Sequence, residues 1–463
     1  MFRYFLLPAI LFIAVNNFGN AQDIGTIDKE LIEQFRGTFN ADKSTKAIMN
    51  AVSSNDIKNL ALNRENLGKV DNYFSNRVES KGITDQKSTG RCWLFTGLNV
   101  IRAEVINEKN MGDFSFSQNF NFFYDQLEKS NLFLEGIIET ADKPMDDKKV
   151  EWLFQNPIGD GGQWTGVVDI IKKYGLVPSE VFPESHNSEN TGMMSRFLRR
   201  MLKEDGLKLR EMYTIGKDQT ELRKEKYQML SDIYRILAIT LGEPPTEFVW
   251  RYKDKDGNLS PSKTYTPKSF YNEFVNMNLD DYVMFMNDPT RDFGKVYEIE
   301  NDRHMYEGQN WKYINLEADK IKTFAVASIK DNEAMYFSCD VGKQLDKDRG
   351  YLDVNNYDYG ALFGLNFGMD KAQRIKTFES GSTHGMALMA VDIQDGKPMK
   401  WLLENSWGNS GFEGHLIMTD AWFDEYMFRL VINKKYIDAE TLKLLETEAV
   451  MLPPWDPMFL PDN

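Results

Sequence analysis

A cysteine and a histidine in this chain of 463 residues have the types and local settings for nucleophilic chemistry. Cys92 ends the loop Gln86-Lys87-Ser88-Thr89-Gly90-Arg91 and opens an apolar run, Trp93-Leu94-Phe95, that continues at helical spacing through Leu98, Ile101 and Val105. A thiol where a loop enters a helix ionises more readily, and the thiolate is the reactive form. Such a thiol needs a base. Among four histidines, His186 in Glu184-Ser185-His186-Asn187 and His304 in Asn301-Asp302-Arg303-His304 lie in polar segments and read as surface residues. His415, in Glu413-Gly414-His415-Leu416-Ile417, reads as a strand residue without catalytic duty. His384, in Ser382-Thr383-His384-Gly385-Met386-Ala387, begins an apolar strand, and the glycine after it lets another segment pass close by.

The base needs a third group to orient it. Asn405 follows His384 by 21 residues, in Glu404-Asn405-Ser406-Trp407-Gly408, and a two-stranded hairpin would bring the two together. Its amide oxygen can accept from one ring nitrogen and leave the other for sulfur, the Cys-His-Asn form of a nucleophile triad. Trp407 is placed to shield the His–Asn bond from water. Gln86, six residues before Cys92, can join the Cys92 backbone N–H in holding an oxyanion. Removing one such donor typically costs about 3 kcal/mol in the barrier.

These residues require a helix under the nucleophile and strands under the base. Residues 114–135 are aromatic with helical spacing, and a helix follows Gly159-Asp160-Gly161-Gly162-Gln163-Trp164. From about 190 to 330 the chain is charged and reads as largely helical, with a break at Gly242-Glu243-Pro244-Pro245. From about 325, short apolar runs alternate with turns and read as strands: Phe324 to Ile329, Met386 to Val391 and Lys400 to Asn405. A helical first part followed by a strand-rich last part predicts an α+β fold. The polar stretch 22–55 reads as an N-terminal arm. The last residues, Met451 to Asn463, hold four prolines, so they form no regular helix and read as an arm that docks.

Composition narrows the partners. A net charge of −15 disfavours nucleic acid and anionic membrane surfaces, and the basic cluster Arg196-Phe197-Leu198-Arg199-Arg200 reads as a solvated helix face. No late apolar run approaches the ~20 residues that span a bilayer. Residues 1–21 have a short positive start, an apolar run from Tyr4 to Val15 and a small-residue end at Gly19-Asn20-Ala21, the pattern of a secretory signal cut after Ala21. Export to a periplasm or beyond follows. Even so, Cys92 and Cys339 are expected to stay thiols: a nucleophile must remain reduced, and Cys339, in Met335-Tyr336-Phe337-Ser338-Cys339, lies on an apolar strand. Four scattered histidines and two cysteines suggest no metal site and no cofactor.

The segment Gln86-Lys87-Ser88-Thr89-Gly90-Arg91-Cys92-Trp93-Leu94-Phe95 resembles the nucleophile segment of the bleomycin hydrolases and aminopeptidases C, a branch of the papain-like cysteine peptidases. Asp160-Gly161-Gly162-Gln163-Trp164, Cys339-Asp340-Val341-Gly342-Lys343, Glu404-Asn405-Ser406-Trp407-Gly408, Met418-Thr419-Asp420-Ala421-Trp422-Phe423 and Trp455-Asp456-Pro457-Met458 match as well, so the resemblance runs from about residue 60 to the C-terminus. His384 lies 292 residues after Cys92, against ~130–150 in ordinary papains. The branch accounts for the excess by an insertion, here at about 190–325, that builds oligomer contacts.

The resemblance implies a papain fold, with a helical half over 56–189 and a β-barrel half over 326–440, and a homohexameric ring around an inner cavity. It implies peptide substrates, with Gly161, Gly162 and Trp407 in the substrate cleft beside the catalytic Cys92, His384, Asn405 and Gln86. It also implies that the arm from 441 enters the cleft, where the terminal carboxylate, here of Asn463, holds a substrate's α-amine; that placement makes these enzymes aminopeptidases. Two features depart from the pattern. The family typically ends in small residues, whereas this chain ends Phe459-Leu460-Pro461-Asp462-Asn463, and familiar members carry no secretion signal. The first leaves an endopeptidase with the same centre as the alternative, ahead of a ring that only binds peptides.

Overall fold

A helix with apolar residues around its whole circumference, whatever polar residues lie between them, belongs at the centre of a domain. The seventeen residues Cys92–Glu108 are such a segment; they form α1, buried along nearly its whole length. In the computed structural model, which describes residues 25–39, 42–69 and 71–456, α1 runs beneath a mixed sheet of twelve strands. Helix α2 (Gln118–Glu139) starts where the Ser117 hydroxyl accepts from the Phe120 amide. Helix α3 (Trp164–Tyr174) stops at Gly175, whose φ of +85° and contact with Pro267 leave no room for a side chain: a β-carbon would lie 2.3 Å from the Pro267 carbonyl oxygen.

Two long helices, α4 (Gly192–Thr214) and α5 (Gln219–Leu241), pack on α2. Arg196, Phe197, Arg199 and Arg200 lie exposed on α4, while Leu198 turns inward. The long helices of the expected helical insertion end at Leu241; past it the helical pieces are short, such as Pro267–Phe270, until the helix that begins at Ala318. Between Leu241 and Ala318, β1 (Tyr282–Met286), β2 (Lys295–Ile299) and β3 (Lys312–Asn315) join the main sheet. Their alternating or fully apolar residues find partners far away in sequence, which the local charge density conceals. The segment 324–329 departs the other way. It lies inside helix α6 (Ala318–Lys330) instead of forming a strand, because Ile321, Phe324, Ala325, Ser328 and Ile329, which are among the residues it buries, recur at intervals of three and four.

The remaining long strands are β4 (Met335–Cys339), β5 (His384–Gln394), β6 (Lys397–Glu404), β7 (His415–Thr419), β8 (Met427–Asn433) and β9 (Val450–Leu452). The sheet order is β9-β2-β3-β1-β8-β4-β5-β6-β7, continued by Tyr351–Leu352 and Leu345–Asp346, with Asn76–Arg77 on β5. β4 is buried at every position and pairs antiparallel with β5 and β8. β5 and β6 form the hairpin anticipated between His384 and Asn405, closed by Asp395-Gly396, both at positive φ as a tight two-residue turn requires.

All of this lies in one unit, Asn63–Asp358 with the residues from Asn366 onward. The other unit joins Tyr359–Leu365 to the described residues before Asn63. Its helices Lys29–Thr38, Lys43–Val52 and Ile57–Leu60 are capped by Asp28, Asp42 and Asp56 and bury none of their own residues. No helix among the described residues is long and apolar enough to cross a membrane.

Candidate active site

Cys92 is the first residue of α1 and His384 the first of β5. Helix and strand meet at Gly385. A β-carbon there would lie 3.1 Å from Thr96 Oγ1 and 3.6 Å from the Cys92 carbonyl oxygen, so the glycine lets the two elements touch. Cys92 and His384 both line a cavity of about 770 Å³, together with Gly90, Gly159 to Gln163, Tyr336 and Ser338.

The hairpin does the rest. His384 Nε2 donates to Asn405 Oδ1 at 2.8 Å, and the Ser406 amide donates to the same oxygen at 2.8 Å. Because that oxygen only accepts, Nε2 carries the ring hydrogen and Nδ1 is left as the basic nitrogen. The Trp407 ring lies 4.7 Å from the imidazole, centroid to centroid and tilted by 31°, with the Lys347 ammonium over the indole. Trp407 therefore lies against the His384 ring; expected in the substrate cleft, it is not among the residues that line the cavity. Neither cysteine forms a disulfide. Cys339 sits opposite His384 on β4, fully buried, and burial pushes its thiol well up, as expected of a structural cysteine.

The nucleophile loop is fastened to the Asn405 loop through the backbone. Gln86 N–H donates to the Ser406 carbonyl at 2.9 Å and Gly408 N–H to the Thr84 carbonyl at 3.0 Å, an antiparallel bridge around Asp85 and Trp407. Gln86 itself is buried in this loop, but its Nε2 donates to the Thr89 carbonyl at 2.7 Å, and it is not part of the cavity wall. One hydrogen on that nitrogen remains for an oxyanion.

Gly161 and Gly162 line the cavity. Their loop is tied on one side by Asp160, whose carboxylate accepts from the Gly90 amide and from the Ser195 hydroxyl. On the other side Trp93 Nε1 donates to the Asp160 carbonyl at 2.7 Å. Among the described residues, neither the amide nor the carbonyl of Gly162 has a hydrogen-bond partner. An extended peptide could pair with both.

One histidine is not where the sequence put it. His304 was read as a surface residue; it is 3% exposed, lines the same cavity and bonds Asp125 through Nδ1 at 2.5 Å. The polar neighbours of His304 hide this, because its partner Asp125, which also pairs with Lys129, comes from α2. A sequence signal existed there: an acid and a base four residues apart inside an aromatic helix. His186 is exposed and His415 opens β7, both as read. Asn463 and the leader 1–21 lie outside the described residues. Among those residues, no group of three or more His, Cys, Asp or Glu is placed to hold a metal ion.

Burial pushes the His384 imidazole down from its ordinary 6.5 to about 4, with the Asn405 bond opposing. The ring is therefore neutral and able to take a proton. Between those two values the unfolded chain binds a proton that the folded chain refuses, so stability must fall as pH drops from 6.5 to about 4. At roughly 1.4 kcal/mol per pKa unit, this ring accounts for about 3 kcal/mol. Urea midpoints measured across that window should decline, and His384→Gln should flatten part of the decline; an identical slope in the variant would refute the assignment.

The Peptidase C1-like family matches residues 26–459. Aminopeptidase C of Streptococcus thermophilus is 39% identical over 437 residues, covering 94% of this chain and 98% of that one. Human bleomycin hydrolase is 38% identical, with 93% and 98% covered. The crystal structure of PepW from Lactobacillus rhamnosis HN001 superposes with a TM-score of 0.91 at 37% identity, covering 94% of this chain and 99% of that one. Likeness of that extent establishes descent, and with it the papain-like fold: the chain belongs to the Peptidase C1-like family and is a cysteine peptidase.

Proposed function

We propose that the protein is a cysteine aminopeptidase that removes N-terminal residues from peptides. The observation that carries this reading is the His384–Asn405 bond, which leaves Nδ1 basic in the cavity that Cys92 also lines. The Cys92 thiol gives its proton to His384 Nδ1, and the sulfur attacks the peptide carbonyl carbon. The carbonyl oxygen takes the negative charge, held by the Cys92 amide and the second Gln86 Nε2 hydrogen. His384 returns the proton to the leaving nitrogen as the C–N bond breaks, which leaves a thioester. Water, deprotonated by the same ring, releases the acid and restores the thiol.

Exopeptidase specificity needs an anchor for the substrate's α-ammonium, and we assign that role to the Asn463 carboxylate. A carboxylate paired with an ammonium supplies position as well as attraction. The relatives named aminopeptidase C and bleomycin hydrolase, matched over nearly their whole length, support the reading. Free-amine peptides should be cleaved at least tenfold faster than their N-acetylated forms. Equal rates would leave an endopeptidase with the same centre.

We also propose export, on the pattern of residues 1–21, and a homohexameric ring. Native mass spectrometry of protein purified from its own host should find six copies of a chain that begins at Gln22; a monomer, or a chain retaining Met1, would refute one or the other.

A further inference from the structure

The cavity wall includes a cluster of buried polar groups that the reaction does not use. Asp125, fully buried on α2, meets the Lys129 ammonium at 2.9 Å and His304 Nδ1 at 2.5 Å. The pairing is strong enough that, although burial raises the Asp125 carboxyl, Lys129 and His304 together bring it below its ordinary value.

This cluster grips one segment of the cleft wall. Lys129 Nζ donates to the Gly159 carbonyl at 3.1 Å and to the Gly161 carbonyl at 2.6 Å. With Trp93 on the Asp160 carbonyl, three successive carbonyls of the wall are held by side chains. The His304 ring fills the space beside the next glycines: a β-carbon on Gly162 would lie 2.1 Å from His304 Cε1, and one on Gly166 would lie 2.4 Å from it. Trp93, adjacent to the nucleophile, meets His304 edge to face at 4.6 Å. Among the described residues, Gly162 has no hydrogen-bond partner for either its amide or its carbonyl.

We propose that the Asp125–His304–Lys129 cluster positions the Gly159–Gly162 wall so that the Gly162 backbone pairs with an extended peptide, setting peptide affinity without touching the reacting atoms. The proposal deepens the peptidase reading and rests on the same cleft. The three side chains are positioning residues: Lys129 fixes the direction of the peptide units, and His304 fixes their height above α2. Asp125 holds both.

The test separates binding from chemistry. In a Cys92→Ala background, which removes turnover, fluorescence anisotropy measures the affinity of pentaalanine labelled at its C-terminus. Lys129→Met, which keeps an unbranched side chain but removes the ammonium, should weaken binding about tenfold or more. His304→Gln should do likewise, and Lys129→Arg should return to within threefold of the parent. With Cys92 restored, iodoacetamide should alkylate it within twofold of the unmodified rate in all three variants. An affinity within twofold in Lys129→Met overturns the proposal. So does a matching loss of Cys92 alkylation, a lack of rescue by arginine, or failure of all three variants to fold. Hydrolysis that survives Cys92→Ala would instead sink the peptidase reading, while the binding data would still decide the role of the cluster.

Discussion

Cys92→Ala is expected to lower kcat/KM for a free-amine peptide by about 10⁵-fold, to the level that binding alone sustains. The size follows from how the site is built. The thiol opens α1 at the cavity wall, and His384 is held by Asn405 and Trp407 with Nδ1 as its basic nitrogen in the same cavity. A base without its nucleophile contributes little, so His384→Ala should cost about as much, and the double variant no more than either single one. Folding should be unaffected, since a sulfur at the cavity wall is replaced by a hydrogen. The measurement is steady-state hydrolysis of a fluorogenic aminoacyl substrate, with circular dichroism to confirm the fold. Additive losses in the double variant would mean that thiol and imidazole act separately.

The second large effect lies one residue from the triad. Glu404, at the end of β6, pairs with Arg102 on α1 at 2.5 Å; both side chains are 2% exposed. Arg102 also donates to the Gly82 carbonyl at 3.1 Å. Burial raises the Glu404 carboxyl even with Arg102 beside it. Arg102→Met removes the cation and strands the carboxylate in a dry interior, at a cost of about 3–5 kcal/mol. The loss must grow with pH. The unfolded carboxylate titrates near 4.5, the folded one higher still without its partner, so above 4.5 the folded state holds a proton that the unfolded state releases. Guanidinium unfolding of Arg102→Met should therefore show a larger deficit at pH 8 than at pH 5, and Arg102→Met with Glu404→Leu should recover most of it. A deficit below about 1 kcal/mol at pH 8 would mean that the pair does not join helix to hairpin as described.

What the sequence made legible was local. Cys92 shows itself by a loop that turns into an apolar helix, and the His384–Asn405 pairing by a separation that fits a hairpin with Asp395-Gly396 at its tip. What stayed hidden depends on distant partners. The strands at 282–315 are short and lie among charged residues, and their pairing with β8 and β9 is visible only in the folded chain. His304 looked solvated because its own neighbours are polar, while the acid that binds it lies 179 residues earlier. Gln86 was placed correctly in the loop, but no pattern could tell that its amide turns first to Thr89.

The backbone bridge between residues 84–86 and 406–408 bears on how this molecule tolerates growth. It clasps the two halves of the proton-transfer machinery from outside, close to both, whatever happens to the chain that runs between them. Closing a longer loop costs only the logarithm of its length, roughly 0.6 kcal/mol per doubling. Excursions as large as α4 and α5 can thus be accommodated between nucleophile and base with little penalty to the alignment of sulfur and ring, and lengthening of the intervening chain and precision of the chemistry become separate matters.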